Sequence, residues 1–287
     1  MLSKTSRILT YIAALFYFVL GLLMFSLPER LAPVFAWKVT GFMTMTIGGW
    51  CLGNAWLAWI TARRWEWRLV YSALIYLWMF GALETCVVFV FRGKLNLGHP
   101  LAWLYLATLL VNDLTALAGV ADWLRIRPRR ERFGPKTNWL LTSFSVAFII
   151  FVGFLSVYGL FAKTGAPGTN GGIFPQVMSI FTLRSFAAFY LALTLGVVPF
   201  VWDRNQSAIL HHGIASYGLV VIITLAALVY LRLFDFAQRP GGLAYFGAYL
   251  VVAIPLLFIF GKYGTGRQAQ KPEGSHEEVT RISSQGG

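Results

Sequence analysis

An all-α polytopic membrane protein is the fold class this sequence predicts, on three observations. Hydrophobic residues make up 57% of the 287-residue chain and charged residues only 12%, against roughly a quarter charged in soluble domains. Apolar runs of about 20 residues, the length that crosses a hydrocarbon core of about 30 Å, recur from end to end. The runs are too long for barrel strands, so helices must satisfy the backbone groups that lipid cannot.

Eight runs are legible, at residues 8–26, 40–61, 69–91, 101–124, 139–162, 181–202, 213–231 and 242–261. The first follows Lys4 and Arg7 and resembles the front of a signal peptide. Its apolar stretch exceeds the usual length, however, and no A-x-A-like site precedes Pro28, so it is read as a retained span. Between the fourth and fifth runs lies RIRPRRERFGPK, a basic linker over residues 125–137. The tail over residues 263–287 carries no apolar run and is read as disordered.

The two halves, residues 1–124 and 138–262, share a plan. Leu101-Ala102-Trp103 and Leu243-Ala244-Tyr245 each open a fourth span, and Arg92 and Arg232 each close a third. A proline segment follows each first span, at Pro28 and at Pro175, and a basic residue, Lys38 or Arg184, opens each second span. These matches predict a duplication of four helices. An even number of spans per half makes the repeats parallel, related by an axis along the membrane normal. The proline segments are expected to form short interfacial helices.

A net charge of +13 first suggests nucleic acid, but its distribution argues for topology instead. With the N-terminus cytoplasmic, 16 of the 24 Lys and Arg fall on the cytoplasmic side, the bias that orients spans during insertion. Both termini are therefore placed in the cytoplasm, and a bacterial plasma membrane is the simplest setting. The lipid bilayer is the expected partner. The two cysteines, Cys51 and Cys86, lie at different depths by helical rise and should not pair.

Two acids stand inside the spans. Asp113, beside Asn112, lies about 18 Å from the outer end of the fourth span, near the midplane, and Glu84 about 10 Å below the outer end of the third. A charged carboxylate at that depth costs about 2.5–3.5 kcal/mol on insertion scales, and no Lys or Arg occupies the middle of any span. Asp113 should then carry a proton or face water or a ligand, unless it serves as interhelical glue worth about 0.6–2 kcal/mol. Thr108, Asn112 and Thr115 share one helix face as a polar seam. Lys38 and Arg184 are candidate cations at an outer-face entrance, able to reach toward Glu84. Asp122 is read as a surface partner of Arg125, and His211-His212 as residues of the cytoplasmic interface, since adjacent histidines diverge on a helix and suit no metal. No metal or cofactor motif is present.

Three functions follow, in order of preference. The first is a protein that binds or transports a small molecule or lipid through a protonatable intramembrane site at Asp113, Asn112 and Glu84. The second is a non-catalytic subunit of a membrane complex. The third is an intramembrane lipid-modifying enzyme with Glu84 as acid or base; without a hydrolase or zincin motif, an enzyme is the lesser expectation.

Overall fold

The structure is a computed structural model, and it describes residues 2–128, 135–163 and 173–263. The middle of the basic linker, the glycine-rich stretch 164–172 and the tail lie outside the described residues. Among those described there are eight long helices: α1 Lys4–Ser26, α2 Gly41–Arg64, α3 Trp67–Val90, α4 Pro100–Ile126, α5 Trp139–Phe161, α6 Ile180–Val197, α7 Gln206–Val229 and α8 Gly241–Tyr263. The expected apolar runs fall on these helices.

Local chemistry sets the helix starts. The side chains of Ser3, Thr40, Asn138, Ser179 and Asn205 each accept a backbone N–H of the first turn, at 3.0–3.3 Å, which satisfies one of the donors a helix leaves open. Pro100 stands in the first turn of α4, where its missing N–H costs nothing. At the other end of α4, Arg127 closes the helix in the left-handed region at φ 43°.

Seven helices are long and apolar enough to cross a membrane by length and composition. The helix outside that set is α2, rich in Thr and Gly, and 18 of its 24 residues are buried. Protein rather than lipid surrounds it, which relaxes the demand for apolar side chains. By contrast α5 buries only Leu141, Ser145, Val152, Ser156 and Gly159, a narrow stripe.

Packing is reciprocal between the halves. Each half lays its second helix on the other half's third, α2 on α7 and α6 on α3, and α3 also touches α7. At the outside, α1 packs on α2 and α5 on α6, while α4 lies on α3 and α8 on α7. Two pairs break the pattern: α1 packs on α4 and α2 on α3, while α5–α8 and α6–α7 show no comparable packing, although Leu141 and Phe144 of α5 share an apolar cluster with Ile259 and Phe260 of α8. Small residues bring the backbones close, as in many membrane interfaces. A Cβ on Gly21 of α1 would stand 2.9 Å from the Gly48 carbonyl oxygen of α2.

Three expectations need correction. The first proline segment is helical, as Pro28–Leu31 and Ala32–Val34, but the described part of the second, Ile173–Ser179, has no helix. Lys38 and Arg184 are not counterparts. Lys38 precedes the α2 cap Thr40, whereas Arg184 follows the α6 cap Ser179 and sits in the second turn. Finally, α7 begins at Gln206, earlier than the apolar run, because Asn205 caps it and its polar first turns are buried in protein.

Candidate functional site

The most enclosed carboxyl belongs to Glu84 of α3, only 3% exposed. Its Oε1 accepts a 2.8 Å hydrogen bond from the Tyr105 hydroxyl of α4, and Ser185 of α6 is its other polar neighbour. Its Oε2 has no hydrogen-bond partner of its own. A cavity of about 20 Å³ adjoins it, lined by Tyr17, Trp37, Trp50, Glu84, Tyr105 and Thr108 among others. That is room for about one water molecule. Two further lining residues, Tyr17 and Trp50, carry a buried hydroxyl and indole N–H without partners.

Aromatic rings close the site on the side of the α1–α2 connection. Trp37 stacks on Phe181 at 4.2 Å, meets Tyr105 edge-on at 5.2 Å, and donates its indole N–H to Thr182 at 3.0 Å. Toward the molecular centre Trp50 stacks on Phe189 at 4.8 Å, and Tyr76 donates to Asn54 Oδ1 at 2.6 Å. Glu84 therefore stands where the α1–α4 group meets α6, in a cage of four helices. No cation reaches it: the salt bridge found among the described residues joins Arg68 and Glu66, at 2.6 Å.

Asn112 and Asp113 do other things. Asn112 is fully buried, and its Nδ2 donates to the Leu77 carbonyl of α3 at 2.9 Å. Asp113 is half-buried, and its Oδ2 accepts from the Thr85 hydroxyl at 2.6 Å. Both pack over Gly81, whose added Cβ would lie 2.0 Å from Asn112 Nδ2 and 2.9 Å from Asp113 Oδ1. Neither residue lines the Glu84 cavity. The Thr115 hydroxyl, next on the seam, donates to the Val111 carbonyl of its own helix at 2.8 Å and lies 3.2 Å from the Leu9 carbonyl of α1.

The expected charged partners are placed differently too. Arg184 turns away from Glu84 and donates from Nη1 to the carbonyls of Gly159 and Ala162 at 2.7 and 2.9 Å. It thus caps the end of α5, where open carbonyls attract a cation. Lys38 is exposed. Asp122 feels the charge of Arg125, as expected, and also accepts from the Ser3 backbone at 2.9 Å and from the Ser6 hydroxyl, binding the start of α1 to α4. His211 and His212, near the start of α7, are buried in protein, each 5% exposed. His212 Nδ1 lies 3.0 Å from Ser72 Oγ, whose own proton goes to the Gly196 carbonyl, so Nδ1 must be the donor to serine. No group of three metal-ligating side chains occurs among the described residues.

Sequence reasoning missed Tyr105, Tyr17, Trp50 and Ser185. One signal was present: the seam Thr108–Asn112–Thr115 runs back by one turn to Tyr105, the residue that holds Glu84.

Fold and site together define an α-helical membrane protein with a buried, cation-free carboxyl between its helices. Comparisons with protein-family models, with curated proteins and with solved structures each return no match.

Proposed function

We propose that the chain crosses the membrane eight times as two parallel four-helix repeats and binds or moves a small molecule or lipid, with Glu84 as its proton-exchanging group. Support for the repeat comes from the reciprocal packing and from matched lengths. α1 and α5 have 23 residues each, α3 and α7 have 24 each, and a three-residue 3₁₀ turn follows each of the latter pair. Counted from the caps Thr40 and Ser179, the stacked rings Trp50 and Phe189 occupy the same position.

One observation carries the functional reading: a buried carboxyl with an oxygen that makes no hydrogen bond stands beside a water-sized cavity lined by residues of the first half. Carboxyls at such depth are costly, and membrane proteins keep them chiefly for proton or ligand handling. The leading role passes from Asp113 to Glu84 because Glu84 is the more deeply buried and lines the cavity, whereas Asp113 is half-buried and does not line it. A lipid-modifying enzyme would need a substrate-sized space at Glu84, and the cavity there suits water or a proton.

Trp37 and Trp50 line the cavity and make it observable. In reconstituted protein, tryptophan emission should titrate with pH, and Glu84→Gln should remove that transition while Asp113→Asn keeps it. A titration unchanged in Glu84→Gln would reject the assignment. Glu84→Asp, which retains the acid, separates loss of the group from a folding defect.

A further inference from the structure

Most of α2 is buried, and it packs on both α1 and α7. Where these three helices meet, a groove of about 490 Å³ runs along the wall of the molecule, against about 20 Å³ for the space at Glu84. Ala14 and Ala55, both buried, leave room at its bottom. Leu15, Phe18, Trp56 and Trp59 line it and are themselves exposed, so the groove opens outward, onto the bilayer. Its walls are held in place. Trp56 donates its indole N–H to the Ile214 carbonyl of α7 at 3.1 Å, and Trp59 meets Tyr11 of α1 edge-on at 5.2 Å.

One end of the groove is apolar and the other leads to cations. Gly21 of α1 lies against Leu52 of α2, and Arg7 of α1 donates from Nε to the Ala62 carbonyl at 2.8 Å, so the two helices run antiparallel. Phe18 and Leu52 therefore share the apolar end, and Tyr11 and Trp59 the other, about 10 Å away by helical rise. One turn past Tyr11 stands Arg7, and one turn past Trp59 stands Arg63.

Both arginines are open to a ligand. Arg7 lies over the Tyr11 ring at 5.9 Å, and among the described residues its hydrogen bonding is confined to Nε, which leaves both terminal nitrogens free. Arg63 is exposed and joins no ion pair among the described residues. Of the acids at this end, Asp122 accepts from Ser3 and Ser6, and Glu66 pairs with Arg68. A guanidinium offers its N–H donors in a fork suited to phosphate. From the cations through the rings to the apolar end, the groove repeats the order of headgroup, interface and chain in a lipid. A soluble anion would leave the apolar end empty, and an uncharged lipid would leave the arginines unmatched.

We propose that the groove where α2 meets α1 and α7 is a site for an anionic phospholipid, with one acyl chain along Leu15, Phe18 and Ile222 and the phosphate held by Arg7 and Arg63. The site is separate from Glu84 and stands or falls independently of it.

Photo-crosslinking tests this directly. The full chain is reconstituted in phosphatidylcholine vesicles containing a minor fraction of phosphatidylglycerol with a diazirine on one acyl chain, and a parallel sample carries the diazirine on phosphatidylcholine. Adducts should concentrate on peptides bearing Leu15, Phe18 and Leu52, above those on exposed Leu110 and Leu117 of α4. Leu15→Trp, which fills the groove from α1, and Ile222→Trp, which fills it from α7, should each abolish that excess. Arg7→Gln and Arg63→Gln should each lower the preference for phosphatidylglycerol over phosphatidylcholine about fivefold, the equivalent of about 1 kcal/mol per basic residue. Lys94→Gln, in the turn at the opposite face of the membrane, should leave it unchanged. Adducts spread evenly over the lipid-facing helices, or persisting in both filled variants, would overturn the chain site. A headgroup preference unchanged in both arginine variants, or lowered as much by Lys94→Gln, would overturn the role of Arg7 and Arg63. Groove peptides free of adducts in a protein that migrates as a dimer would show a second copy as the occupant and reject the proposal.

Discussion

Asn112 and Asp113 adjoin in sequence yet differ in what removing them should do. Asn112 gives its Nδ2 proton to Leu77 across the α3–α4 contact and is wholly buried. Asn112→Ala loses an interhelical bond worth about 0.6–2 kcal/mol and leaves a hole over Gly81. Asp113→Asn keeps an amide oxygen in front of the Thr85 hydroxyl, so its cost should stay within about 0.5 kcal/mol. Thermal unfolding in detergent should therefore show a clear drop for Asn112→Ala and little for Asp113→Asn. The reverse ranking would mean that the carboxyl of Asp113 holds the contact. The depth of both acids was legible from helical rise. Their surroundings were not, because a sequence fixes a position along a helix but leaves open which neighbour faces it. For that reason Glu84 and Tyr105, 21 positions apart, could not be joined in advance.

Among the elements, the α3–α4 contact shows how closely two helices can depend on one missing side chain. A Cβ on Gly81 meets Asn112 Nδ2 at 2.0 Å, so the Asn112 side chain must shift, at the expense of its bond to the Leu77 carbonyl. Gly247 of α8 is the natural comparison, since a Cβ there meets nothing within 4 Å. Gly81→Ala should cost about 1–3 kcal/mol, as overpacking does, whereas Gly247→Ala should be neutral or add up to about 1 kcal/mol by stiffening the helix. Denaturant titration of the two variants in the same micelles checks the contrast, and equal stabilities would contradict the contact. Helix positions were readable from hydropathy, α2 included, except at the start of α7. At α2 and at the start of α7 protein surrounds the helix, so Thr46, Asn54, His211 and His212, all buried, take the place of apolar residues. A hydropathy reading treats every span as if lipid surrounded it.

At the scale of the whole molecule, internal likeness and charge bias lead to one arrangement, and it can be tested as a unit. α2 packs on α7 and α6 on α3; in the proposed repeat the two halves would begin on the same side, as an even number of crossings per half requires. Sequence matches suggested this plan, but they misaligned Lys38 with Arg184, because a basic residue near a helix start is a weaker marker than the cap itself. With 16 of the 24 basic residues on one side, insertion should leave both termini and the α4–α5 linker in the cytoplasm and the α3–α4 turn outside. Gly93 lies in that turn, in open space, and Arg127 follows α4 at the opposite end. In a background with Cys51 and Cys86 replaced, Gly93→Cys should react with a membrane-impermeant maleimide on intact cells. Arg127→Cys should react only after the membrane is opened. Labelling of both from the same side would require an even number of crossings between them and reject α4 as a span, while the reverse pattern would keep the crossing and turn the molecule over.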